Sequence, residues 1–103
     1  MKRQYQVVME FHDDSAENFE HVLALETKLE AKLASGEVDG NDVGQGVVNI
    51  FIITTEPERC FKEAMQIIGD DGPSPAAAGY RELNEADYVR LWPKGDATSF
   101  QLR

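Results

Sequence analysis

The sequence predicts an α+β domain, an antiparallel sheet carrying two helices on one of its faces. Three observations lead there: a period-two alternation near the N-terminus, two stretches of helical spacing with helix-start residues before them, and one long β-branched run between them. That run, Val47 to Thr55, follows the glycine-punctuated Gly36 to Gly46 and precedes Pro57, and apart from Asn49 it is apolar through Ile53. Near-continuous apolarity with β-branching reads as a central strand covered on both faces. At 103 residues the chain is one domain, 1–103, with a core from about Gln4 to Trp92 and a tail over 93–103.

Between Gln4 and His12 the side chains of Tyr5, Val7, Met9 and Phe11 fall on one face and Gln4, Gln6, Glu10 and His12 on the other, with Val8 out of pattern. This is the signature of a half-buried first strand. Asp13, Asp14 and Ser15 supply oxygens for the open N–H groups of a helix start, and Glu17 suits the positive end of the dipole. The helix then runs from near Ala16 to Leu33 with Val22, Leu25, Leu29 and Leu33 as its apolar stripe and Phe19 beside it, and Ser35-Gly36 is expected to end it in the left-handed conformation. Glu37 to Asp42 is a short second strand, joined to the apolar third strand by Val43-Gly44-Gln45-Gly46 as a hairpin.

A second helix starts after Thr55, a candidate cap, with Pro57 in its first turn, and buries Phe61, Ala64, Met65 and Ile68 before Gly69 stops it. Asp70 to Gly79, rich in proline and glycine, reads as a loop. Tyr80 to Leu83 and Tyr88 to Trp92 both read as strand around the turn Asn84 to Asp87. Either they pair as a terminal hairpin, or one is the fourth strand and the other extends it. Phe100 and Leu102 are the apolar residues by which the tail is held.

Strand, helix, strand, strand, helix, strand is the ferredoxin-like β-α-β-β-α-β arrangement, with an extra C-terminal strand as an option. Right-handed crossovers order its strands four, one, three, two and place both helices on one face. In element order and spacing, from about Gln4 to Trp92, the chain resembles the small ligand-sensing ACT domains; that resemblance implies a fold and a ligand at a subunit interface. The helix-free face of the sheet would present Val8 and one parity of the third strand, Val48-Ile50-Ile52 or Val47-Phe51-Ile53. Each large apolar side chain left wet there forgoes roughly 1.5 to 3 kcal/mol, so the face calls for a cover. A homodimer packed sheet to sheet is one cover and the C-terminal tail is the other.

The formal net charge is −9, from 19 acidic and 10 basic residues, which repels phosphate backbones and argues against nucleic acid as a partner. Residues 1–79 hold 15 of the acidic and 6 of the basic side chains, whereas 80–103 hold four of each. No apolar stretch reaches the length of a membrane span, and Gln4, Gln6 and Glu10 interrupt any secretory core after Lys2-Arg3, so the expectation is a cytoplasmic chain. Cys60 is the sole cysteine and has no intramolecular partner.

Few constellations suggest chemistry. Asp39-Gly40-Asn41-Asp42-Val43-Gly44 opens like a calcium loop, but Ile50 stands where the twelfth-place glutamate is required, so Asx turns explain it. His12 beside Asp13 and Asp14 is the cluster best able to move a proton, yet helix-capping aspartates next to an exposed histidine account for the same residues. Glu56, Glu58 and Glu63 surround Cys60 and oppose a reactive thiolate, so it reads as a small buried hydrophobe. No metal and no cofactor is expected. Tyr88, Arg90 and Trp92, at alternating positions, are expected to share one face, and with Arg81 they have the composition of a binding hot spot. The expected function is a non-enzymatic binding or interaction domain that self-associates and engages a basic protein partner, with Tyr88, Arg90, Trp92, Arg81, Asp39, Asn41 and Asp42 as candidate contacts. The alternatives are an ACT-like small-molecule sensor and a small enzyme using His12 with Asp13 or Asp14.

Overall fold

A computed structural model describes residues 3–12, 15–70, 72–95 and 100. In chain order they form β1 (Tyr5–His12), α1 (Ala16–Lys32), β2 (Glu37–Gly44), β3 (Val47–Thr54), α2 (Pro57–Ile68), β4 (Ala77–Glu82) and β5 (Val89–Trp92). The fold is α+β, with two helices and a five-stranded sheet ordered β2-β3-β1-β4-β5, every neighbouring pair antiparallel. A fifth strand therefore follows the six expected elements, and the last two strands form a hairpin. The expectations for Asp13, Asp14 and Leu102 lie outside the described residues.

Alternation along β1 and β3 sorts their side chains between two cores. Val7, Met9 and Phe11 join Val48, Ile50 and Ile52 beneath Val22, Leu25 and Leu29 of α1 and Cys60, Phe61, Ala64 and Ile68 of α2. Val8 lies on the reverse face with Ala77 and Phe100, flanked by Phe51 and Tyr88. The third strand thus gives Val48-Ile50-Ile52 to the helices and Phe51 to the other side. The first strand is central rather than half-buried: Val7, Val8 and Met9 are all inaccessible, and Glu10 is 5% exposed. Flanking strands on both sides and the Phe100 ring over the reverse face explain the difference.

Local chemistry sets most boundaries. Ser15 caps α1 by accepting the Asn18 N–H at 3.0 Å, and the Asn18 amide donates to the His12 carbonyl, tying helix start to strand end. At the other end Leu33 leaves the helix in extended backbone, φ −70°, rather than through a left-handed glycine. Gly36 serves a different need, described below. Gln45 and Gly46, with φ 54° and 77°, make the two-residue hairpin turn between β2 and β3; the paired positive φ angles suit its twist. β2 consequently runs two residues past Asp42.

Glu56 is the N-cap residue of α2, Pro57 opens the helix, and no side chain caps it. The expected cap at Thr55 is not made; the hydroxyl of Thr54 before it accepts the Glu56 N–H at 3.0 Å and donates to the Ser35 carbonyl. Gly69 ends the helix at φ 67°, its N–H bonded to the Met65 carbonyl.

Ala77, Ala78 and Gly79 belong to β4, not to a loop. Tertiary contacts override their weak strand propensity, because small residues are what the two cores admit there. Ala78 is fully buried under the helices, and a Cβ on Gly79 would stand 2.7 Å from the Phe100 ring. In the β4–β5 hairpin Ala78 pairs with Trp92 and Gly79 with Arg90, so Leu91 is an extra residue, a bulge.

Candidate ligand groove between α2 and the terminal hairpin

With β4 beside β1 and β5 outside β4, α2 overhangs the hairpin edge of the sheet and a groove of about 850 Å³ opens between them. Its apolar surface comes from Phe61 and Met65 of α2, Tyr80 of β4, and Leu91 and Trp92 of β5. The Phe61 and Trp92 rings are 6.3 Å apart and tilted by 46°, and Tyr5 meets the Tyr80 ring edge-on at 5.8 Å. Burial raises the Tyr80 phenol above its ordinary 10.0, and the Glu58 carboxylate adds to that, so a neutral hydroxyl stands in the groove at neutral pH.

The rim has the opposite sign to the protein. Arg59, Lys62 and Lys94 contribute to the groove against the single carboxylate of Glu58, in a chain of net charge −9; Arg90 borders it too, with its guanidinium turned to Phe100. Arg59 pairs with Glu56 at 3.4 Å, and Arg90 donates to the Trp92 carbonyl at 2.9 Å. Neither Lys62 nor Lys94 has an ion pair among the described residues.

A second hollow, about 560 Å³, lies over the junction between α1 and β2 and is lined by Ala34, Ser35, Glu56, Arg59, Lys62, Glu63 and Gln66. Here the chemistry is already used. The Glu63 carboxylate accepts from the Ser35 hydroxyl and from the N–H groups of Ala34 and Ser35, clasping the turn after α1 to α2. The Ser35 hydroxyl first, then those two N–H groups, hold the Glu63 carboxyl below its ordinary 4.5. A lowered native pKa contributes stability that is present above the ordinary value and disappears as pH falls through the native one. Urea midpoints of wild type and Glu63→Gln should therefore differ at neutral pH, wild type higher, and converge in acid; a gap independent of pH would show that the clasp does not depend on the charge.

The sequence-selected residues are dispersed. Trp92 faces the groove, but Arg90 does not share its face: its guanidinium sits 5.8 Å from the Phe100 ring on the reverse side. The bulge at Leu91 inverts the alternation, which is why period-two reasoning placed the two together. Tyr88 stacks near Phe100 at 5.2 Å and donates its hydroxyl to the Gln6 side chain. Arg81 donates to Gln6 and to the carbonyls of Leu83 and Glu85, bracing the hairpin turn. Asp39, Asn41 and Asp42 lie on β2, at the opposite edge of the sheet from β5, where Asn41 donates to Glu26 of α1 at 2.7 Å. His12 is exposed at the end of β1. Cys60 is fully buried, and desolvation raises its thiol pKa.

Sequence reasoning did not select Arg59, Lys62, Met65, Tyr80 or Lys94. The signal it had was slight: a cationic pair at i and i+3 flanking the apolar stripe of α2. Among the described residues, no three His, Cys, Asp or Glu side chains gather as a metal site requires, and no helix is long and apolar enough to cross a membrane. In comparisons with known proteins the chain matches no family model, no curated protein and no solved structure.

Proposed function

We propose that this chain is a small, non-enzymatic binding domain of ferredoxin-like form whose ligand site is the groove between α2 and the β4–β5 hairpin. One observation carries the reading: Phe61, Met65, Tyr80, Leu91 and Trp92 line a single concave surface large enough for a small molecule, beside the exposed charged side chains of Glu58, Arg59, Lys62 and Lys94. The succession of β1, α1, β2, β3, α2 and β4 supports the ferredoxin-like assignment, with β5 lying outside that scheme.

Trp92, the only tryptophan, is a built-in reporter. Its emission should change saturably as a ligand from a panel of small aromatic and aliphatic compounds enters, and the same ligand should raise the unfolding temperature. At a hundredfold excess over Kd the stabilisation is about 2.7 kcal/mol, or roughly 10 °C for a domain of this size. A panel that leaves both emission and melting unchanged sinks the proposal.

Self-association is a second reading, supported by Phe51 and Ile53, which remain partly exposed on the reverse face of the sheet. A basic protein as partner is supported by exposed Glu37, Asp39 and Asp42 along the β2 edge.

A further inference from the structure

We infer that the groove selects small organic anions, a carboxylate, sulfonate or phosphate monoester on an aromatic or aliphatic body, with Lys62 and Lys94 receiving the negative group. The inference rests on the groove being a ligand site and adds the sign of the ligand.

Charge complementarity is the argument. Arg59, Lys62 and Lys94 and the one carboxylate of Glu58 line the groove, the Arg90 guanidinium lying over Phe100 on the reverse face, whereas the whole chain carries −9. At physiological ionic strength screening acts over about 8 Å, so a group seated in the groove responds to its rim more than to distant carboxylates. A polyanion extending beyond the groove meets the acidic remainder and is repelled. The arrangement therefore favours a compact small anion over a nucleic acid.

The cations are not equivalent. Arg59 is engaged by Glu56 and Arg90 by the Trp92 carbonyl, which leaves the ammonium groups of Lys62, on the α2 side, and Lys94, beyond the end of β5, as the receivers. Between these two sides lie the apolar floor for the ligand body and the neutral Tyr80 hydroxyl as a further donor.

The test uses the full chain and three probes with the same body: phenylbutyrate, phenylbutanol and phenylbutylammonium, titrated against Trp92 fluorescence. Phenylbutyrate should bind about three- to tenfold more tightly than the alcohol, as two partly solvated ion pairs allow, and the ammonium more weakly than either. In Lys62→Gln/Lys94→Gln the carboxylate's advantage should fall to within about twofold while affinity for the alcohol persists, as expected when only rim charges are removed. Equal binding of all three probes, or preference for the ammonium, overturns the anion inference and leaves the groove standing. Failure of all three to bind overturns both.

Discussion

Phe100→Ala is expected to lower unfolding stability by about 3 kcal/mol, the low end for removing a buried phenylalanine, and to drop the melting temperature by roughly 10 °C or more. The ring is 4% exposed and is packed with Val8 and Ala77, with Tyr88 stacked beside it and the Arg90 guanidinium near its other contacts. Its loss uncovers the centre of the reverse sheet face, where Val8 is now inaccessible. Gly79 makes the prediction sharper. A β-carbon there would lie 2.7 Å from the ring, so Gly79→Ala should cost about 1 to 3 kcal/mol in the wild type by driving Phe100 off. In the Phe100→Ala background the same substitution should be neutral or stabilising by up to about 1 kcal/mol, since alanine loses less backbone entropy than glycine. Urea denaturation of the four proteins measures the coupling; strict additivity would mean that Phe100 does not rest on Gly79 in solution.

Gly36→Ala is expected to destabilise by about 1 to 3 kcal/mol through overpacking. The added methyl would meet Cys60 Sγ at 2.7 Å, an Ile52 methyl at 2.9 Å and the Ile53 carbonyl at 3.1 Å. Two effects compete. Restricting the unfolded chain would favour alanine by about 0.4 to 1 kcal/mol, but Cys60 and Ile52 are fully buried and have little room to retreat, so the steric cost prevails. Removing the sulfur should relieve the tightest contact, so Gly36→Ala/Cys60→Ala should be more stable than the sum of the single effects by at least about 0.5 kcal/mol. Chemical denaturation decides it, and a double variant no better than additive would place the strain elsewhere.

Periodicity made much of this fold legible. Val22, Leu25 and Leu29 announced the buried side of α1, and the Val47 to Ile53 run, apolar but for Asn49, announced a strand covered on both faces. Ala77 to Gly79 was misread because small residues after two prolines look like loop until their neighbours are known: the helices press on Ala78 and an aromatic ring takes the space above Gly79. The candidate site was less legible still. Phe61 and Trp92 are 31 positions apart and meet only because β5 docks outside β4 under α2. No local pattern encodes that adjacency, and the one pattern applied to the terminal strand, strict alternation, fails at Leu91.

The extra residue at Leu91 also bears on how such a domain could diversify. In a regular strand, positions two apart answer to the same neighbours, so altering one constrains the other. Here Arg90 answers to Phe100 and Trp92 to Phe61, so a segment of four residues, Val89–Trp92, gives two nearly independent surfaces. Drift in the pocket can then proceed without loosening the aromatic seal behind it, and the seal can be remodelled without changing what the pocket admits.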